Sequence, residues 1–205
     1  RPAASIKELV ENALDAGAIV RTENQKGKGN VVRRMFTEVD ADVYVLVDGD
    51  GTYDASIAGD LVALLHKDNL DMVVASRTTS GNRSGHTYGN KVFNWLYRWM
   101  FGSGFTDIFS GYRVFSRSFV KSFPATSRGF EIETEISVHA SQLRLSTAEV
   151  ETLYGERPEG SKSKLRTFSD GWKILKSMVV LLKDNRPFFL FGTLSVISVI
   201  SCESP

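Results

Sequence analysis

Apolar residues recur along the chain with two alternating periods. At 6–14, Ile6, Leu9, Val10, Ala13 and Leu14 keep helical spacing, and Gly17 supplies a stop. Short apolar runs at 19–21, 43–47, 72–75, 112–115 and 148–153 predict strands. Helical spacing at 29–39, 57–66, 92–101 and 133–143 predicts the helices between them. This alternation predicts an α/β domain, a Rossmann-like, mostly parallel sheet with flanking helices. Such sheets bind ligands beyond the carboxyl ends of their strands. The most apolar strand, 43–47, ends in D-G-D-G-T-Y-D at 48–54, three carboxylates set among glycines.

The pattern changes after residue 154. Trp172, Leu175, Met178, Val179 and Leu182 recur at helical spacing, with Lys173, Lys176 and Lys183 on another face. The segment 155–186 holds eight Lys/Arg against four Asp/Glu. A basic amphipathic helix led by tryptophan reads as lying on an anionic membrane surface. Asn185-Arg186-Pro187 breaks it, and an apolar run of 15 residues follows at 188–202. That run is shorter than the roughly 20 residues a spanning helix needs. Its position predicts the start of a truncated transmembrane segment, with the basic side cytoplasmic. The chain thus divides into a domain at 1–166, an amphipathic juxtamembrane helix at 167–186 and the membrane start at 187–205.

Charge sharpens the picture. The net charge is +1, yet residues 1–75 hold 13 acids and 8 bases, and the remainder holds 11 acids and 17 bases. The 31 residues of 76–106 contain no acid but carry Arg77, Arg83, Lys91 and Arg98. An acidic front and a basic back predict a cation site followed by anion-binding surfaces. The single Cys202 excludes an internal disulfide and any Cys-rich metal site.

Three chemistries could use the aspartates. An EF-hand loop from Asp48 needs glycine sixth and glutamate twelfth, where this chain has Tyr53 and Gly59. The apolar run before D-G-D-G-T is also similar to the nucleophile motif of haloacid dehalogenase-type phosphatases, with Asp48 attacking phosphorus. That family needs a later acidic pair at a strand end, and neither 72–75 nor 148–153 is followed by one. In a D-x-D motif, two carboxylates share a divalent cation that bridges a nucleotide-sugar diphosphate, and hard oxygen ligands suit Mg2+ or Mn2+. Thr52 stands where a third oxygen ligand, or simply a turn hydroxyl, would sit.

Further segments decide the order of these readings. T-D-I-F-S-G-Y-R at 106–113, G-F-E-I-E-T-E at 129–135 and R-P-E-G-S-K-S-K-L at 157–165 follow the D-G-D motif. In this order and spacing they resemble the polyprenyl-phosphate hexosyltransferases of glycosyltransferase family 2, the group that includes dolichyl-phosphate mannose synthase. The resemblance implies an A-type nucleotide-diphospho-sugar transferase fold. It also implies metal-dependent, inverting transfer of a hexose from a UDP-glucose- or GDP-mannose-type donor to a polyprenyl phosphate at the cytoplasmic membrane face. Members open with a strand ending in a P-x-x-N-E-type motif, which this sequence lacks, so the first strands are expected to be missing.

Residue by residue, the resemblance assigns Asp48, Asp50 and Thr52 to the metal, and Lys28, Asp48 and Asp50 to the donor. Lys28 also reads as a solvated surface lysine. Asp50, Asp107 and Arg113 fall in the catalytic group, with Asp107 orienting a sugar hydroxyl or acting as a base. Arg77, Arg83, Arg157 and Lys164 fall on the acceptor's phosphate, where guanidinium forks match phosphate oxygens. Glu131 and Glu135 are expected on sugar hydroxyls or nearby arginines. The implied partners are the nucleotide sugar, the lipid acceptor and the membrane, with association of copies through the C-terminal region and no nucleic acid. The alternatives are the phosphatase and a non-catalytic, membrane-docked phosphate-binding module.

Overall fold

The computed structural model describes residues 17–78, 84–102, 104–155 and 167–202. Its elements run α1 (Lys28–Glu38), β1 (Val43–Leu46), a 3-10 turn (Ala55–Ile57), α2 (Ala58–Lys67), β2 (Met72–Thr78) and α3 (Ser84–Phe101). Then come β3 (Arg113–Ser116), α4 (Arg117–Ser122), α5 (Ile132–Gln142), β4 (Thr147–Leu153), α6 (Thr167–Asn185) and α7 (Pro187–Cys202). The helix expected at 6–14 lies outside the described residues.

The four described strands form one sheet in the order β1-β3-β2-β4. β1, β2 and β4 point the same way, as the helix–strand alternation predicts. β3 runs against them, pairing antiparallel with both β1 and β2, so only the β2–β4 ladder is parallel. The reversal brings the residues just before β3 to the end of the sheet where β1, β2 and β4 finish. That is the geometric origin of the site described below.

β2 is the centre of the core. Met72 and Val74 belong to one hydrophobic cluster and Val73 and Ala75 to the other, and all four are fully buried. A strand covered on both faces reads as a continuous apolar run, which is why 72–75 shows no alternation. α2 covers one face with Leu61 and Leu65. Val32 and Phe36 of α1, Tyr97 of α3, and Ile132 and Ile136 of α5 cover the other. The result is a layered α/β/α arrangement.

Residues 125–131 are threaded between α1 and α5. The Arg33 guanidinium donates to the carbonyls of Ala125, Thr126 and Ser127 at 2.8, 3.3 and 3.2 Å. From the other side Glu135 accepts the backbone N–H groups of Thr126 and Ser127, each at 2.8 Å. The glycine-rich turn makes the approach possible. Gly27 has φ +126°, and a β-carbon on Gly29 would lie 2.2 Å from the Ser127 carbonyl oxygen. α1 and α5 therefore begin side by side.

Two expectations need correction. Residues 19–21 form no strand, and Ile19 is 81% exposed, because a three-residue apolar run specifies a strand only where a neighbour pairs with it. On α6 the buried stripe is Ile174, Met178 and Leu182, which joins the main core cluster against α3 and α5. Lys173, Lys176 and Lys183 share the exposed side with Trp172, Val179 and Val180 rather than taking a separate face. α7 is apolar, but no described helix is long and apolar enough to cross a membrane.

The two faces of α6 separate in stability. Truncating the buried Met178→Ala removes core packing and should cost about 2–5 kcal/mol in urea unfolding. Trp172→Ala on the exposed face should change stability by less than about 0.5 kcal/mol.

Candidate active site

The carboxyl ends of β1, β2 and β4 and the start of β3 deliver Asp48, Arg77, Tyr154 and Asp107 to one region. The turn after β1 is built by its own side chains. Asp50 Oδ1 accepts the Thr52 hydroxyl at 2.5 Å and the Thr52 N–H at 3.3 Å, with Gly51 at φ +71°. Asp54 points away from this group and caps the following 3-10 turn through Ser56 N–H at 2.9 Å. Of the three aspartates, two belong to the site and the third starts a helix.

Asp48 is held on two sides. Its Oδ1 accepts Lys28 Nζ at 2.5 Å, and its Oδ2 lies where a β-carbon on Gly111 would come within 2.0 Å. The same ammonium donates to Glu133 at the start of α5. Lys28 and Glu133 are nearly buried, at 15% and 8% side-chain exposure, so Lys28 is no solvated surface lysine. Burial alone pulls the Lys28 ammonium down, but the charges of Glu133 and Asp48 outweigh it and hold it above its ordinary value. Burial, aided by the nearby Asp48, pushes Glu133 above the usual carboxylate range against the pull of Lys28.

The second cluster is a guanidinium fork. Arg77 Nε and Nη2 donate to the two oxygens of Asp107, both at 2.7 Å, and the Arg77 backbone N–H adds a bond at 3.2 Å. Burial raises the Asp107 carboxyl, yet Arg77 overrides it and holds the group below its ordinary value. Arg77 also stacks over Tyr154 at 5.3 Å, and Tyr154 packs edge-on against Tyr53 at 5.1 Å. The Tyr53 hydroxyl accepts Gly111 N–H at 2.9 Å, and burial pushes its pKa up to about 12. Tyr53 pairs with Tyr154 in an isolated bridge, where Gly155 N–H donates to the Thr52 carbonyl at 2.8 Å.

Arg113 lies beneath this layer, fully buried. It donates to the Ser110 carbonyl at 3.0 Å, the Ile108 carbonyl at 2.8 Å and Ser137 Oγ at 3.0 Å. It therefore positions the 107–110 loop, and a side chain with no exposed surface cannot touch a substrate, which corrects its place in the catalytic group. Glu149 fixes the same loop from β4 by accepting the N–H groups of Thr106 and Asp107 at 2.9 and 3.2 Å.

The structure thus gathers Lys28, Asp48, Asp50 and Thr52 in one cluster at this end of the sheet and commits Arg77 to Asp107 in a second. Arg83, Arg157 and Lys164 lie outside the described residues. Glu131 and Glu135 accept backbone N–H groups of 126–129 and pair with no arginine among the described residues. The glutamate facing the site is Glu133, which sequence reasoning passed over. On a helix Glu131 and Glu135, four residues apart, share a face, and Glu133 between them points to another, so it alone meets Lys28.

No group of three His, Cys, Asp or Glu side chains among the described residues could hold a metal ion by itself. The oxygens of Asp48, Asp50 and Thr52 nevertheless fit a hard cation that keeps waters and takes substrate phosphates as its other ligands. Gly111 is what makes room for the Asp48 carboxylate in that set.

Residues 3–123 match the model of the family described as glycosyl transferase family 2. The chain is 35% identical over 201 residues to glycosyltransferase AglJ of Haloferax volcanii, covering 92% of this chain and 63% of that protein. It is 30% identical over 201 residues to the low-salt glycan biosynthesis hexosyltransferase Agl6 of the same organism, covering 93% and 47%. A 90-residue stretch, 44% of the chain, is 58% identical to an uncharacterized protein of Shigella flexneri and covers 55% of it. The chain therefore spans about half to two-thirds of the length of these curated relatives. Its fold is similar to glucosyl-3-phosphoglycerate synthase of Mycobacterium tuberculosis, solved with Mn2+, UDP-glucose and phosphoglyceric acid. That match has a TM-score of 0.64 at 17% identity and covers 83% of this chain and 62% of the other.

The Arg77–Asp107 pair should be visible in stability. Asp107→Asn strands a nearly buried guanidinium and should cost about 3 kcal/mol in urea at pH 7. Adding Arg77→Met should return at least half of that loss. Asp107 has a depressed folded pKa, so its contribution is present above the ordinary 3.8 and is lost as pH falls through the folded value. Wild-type stability should drop in that acid range, and the Asp107→Asn variant should lack this component.

Proposed function

The chain belongs to glycosyl transferase family 2, and on that basis we propose that it moves one hexose from a nucleotide-diphospho-sugar to a polyprenyl phosphate, with inversion. The family match replaces the alternative of a phosphatase with Asp48 as nucleophile. The observation that carries the proposal is the oxygen set of Asp48, Asp50 and Thr52 beyond β1, flanked by the Lys28 ammonium.

Asp50, with Asp48 and Thr52, would hold Mg2+ or Mn2+, which supplies charge neutralisation to a departing nucleoside diphosphate. The chain's own residues do the rest. Lys28 places a cation beside Asp48, where the donor's diphosphate would sit. Asp107, locked by the Arg77 fork, presents a carboxylate of fixed orientation to a sugar hydroxyl, a better fit to positioning than to proton abstraction. A phosphate monoester with a second pKa of about 6 is mostly dianionic near neutral pH, so it needs no strong base. What it needs is positioning and offset of anion repulsion. Arg77 is spent on Asp107, so Arg83, Arg157 and Lys164 are left as the cations proposed for the acceptor's phosphate.

A lipid acceptor requires a site near the membrane surface, and we place the protein there with its catalytic part on the cytoplasmic side. Support comes from the exposed side of α6, where Trp172, Val179 and Val180 stand among Lys173, Lys176 and Lys183. α7 adds exposed Phe188, Phe191 and Leu194. Each basic residue near an anionic surface contributes about 1 kcal/mol.

In the intact protein, Asp50→Asn should lower transfer from a radiolabelled nucleotide sugar to polyprenyl phosphate by about 100-fold or more. EDTA should do the same. Full transfer in EDTA overturns the metal role, and failure of every nucleotide sugar in a UDP and GDP panel leaves the non-catalytic, phosphate-binding module as the reading.

The chain should also bind anionic vesicles at low salt and release as ionic strength rises. Changing Lys173, Lys176 and Lys183 together to glutamate should abolish binding while leaving the circular dichroism spectrum unchanged. Indifference to anionic vesicles at low salt rules out surface docking by α6.

A further inference from the structure

We propose that Lys28 is an exchangeable counter-cation: it partners Asp48 in the absence of a divalent ion and is handed to the donor's diphosphate when the ion arrives. The inference rests on the nucleotide-sugar reading above and adds to it a positioning residue with two successive partners.

The geometry leads to this from three directions. Asp48 turns Oδ2 onto the backbone at Gly111, and Oδ1, the oxygen farther from that wall, is the one the ammonium holds at 2.5 Å. A divalent cation using Asp48 binds its oxygens at about 2.0–2.1 Å, so it and the ammonium compete for one position. Second, the ammonium is also held by Glu133, which belongs to a different element and is not among the metal's oxygens. Lys28 can therefore give up Asp48 without leaving the site, because its flexible four-carbon stem pivots about the first turn of α1.

Third, the charge is neutralised. Lys28, Asp48, Asp50 and Glu133, all ionised, sum to −2, and the group repels a diphosphate. A divalent ion brings the sum to zero and takes one of the ammonium's two carboxylate partners, leaving it on Glu133 alone. That ammonium is then available to an anion, and the diphosphate arrives with the metal. A lysine serving only to tie α1 to α5 would show no such dependence on metal.

The test uses the intact protein with Mn2+ as the probe. Free Mn2+ is measured by electron paramagnetic resonance, and UDP and GDP stand in for the unidentified donor. Lys28→Met should bind Mn2+ alone about tenfold more tightly, within the usual 5–150-fold range of coupling between sites. With Mn2+ saturating, the same variant should bind UDP or GDP about tenfold more weakly. Unchanged or weaker Mn2+ binding by the variant overturns the exchange. A second measurement needs no variant: acetylation of Lys28 in the wild-type protein is followed by mass spectrometry, with the exposed Lys67 as reference. Mn2+ alone should speed Lys28 modification severalfold, and nucleotide added with Mn2+ should slow it again. A flat Lys28 rate while Mn2+ binds overturns the exchange and leaves the nucleotide-sugar reading standing. No Mn2+ binding by the wild-type protein, with or without nucleotide, overturns the metal role and the exchange together, while UDP or GDP binding in the same titration tests the nucleotide-sugar reading separately.

Discussion

Arg113 is a charged group taken wholly out of water, and burial draws its guanidinium below the ordinary value, with no carboxylate among the described residues within bonding distance. Such a group is tolerable only when its N–H donors are satisfied. The two carbonyls and the hydroxyl that satisfy it lie on the 107–110 loop and on α5. That requirement fixes where the loop sits relative to the helix. Asp107 then has a defined place from which to grip Arg77, and Gly111 a defined place beneath Asp48. Ser137, which serves Arg113, also donates to the Glu133 carbonyl, so the same contact ties the start of α5 to the loop. The polar layer at the end of the sheet is organised from below.

How far the sequence disclosed this depends on the range of each interaction. The central strand was legible because burial on both faces leaves a four-residue apolar run. The D-x-D turn was legible because Asp50, Gly51 and Thr52 close it locally. Strand direction was legible only in part: alternation predicts the common direction of β1, β2 and β4, whereas the reversal of β3 is decided by its pairing with β1 and β2. Lys28 was misjudged for a related reason. Its second partner, Glu133, is 105 residues away, and nothing near Lys28 in sequence distinguishes it from a solvated lysine.

The amphipathic helix shows a different limit. Periodicity locates an apolar stripe on 172–182 but does not say whether protein or lipid covers it. Ile174, Met178 and Leu182 turned out to complete the domain's own core, and the side left over is a mixture of lysines with a tryptophan and valines. The local contrast between faces was right in kind and wrong in angle. Arg113 was placed with the reacting groups because it closes a recognisable motif, whereas its work is done one layer further in.

The tight seating of Gly29 against the Ser127 carbonyl, and of Gly111 against the Asp48 carboxylate, bears on how genetic variation in this chain would be interpreted. Neither residue offers a functional group, and each is held to hydrogen because the space its side chain would occupy is filled, by backbone at Gly29 and by the Asp48 carboxylate at Gly111. A survey of damaging alleles could flag both for the same reason as a residue that binds a ligand, and nothing in such a ranking would separate a group that must be present from an atom that must be missing.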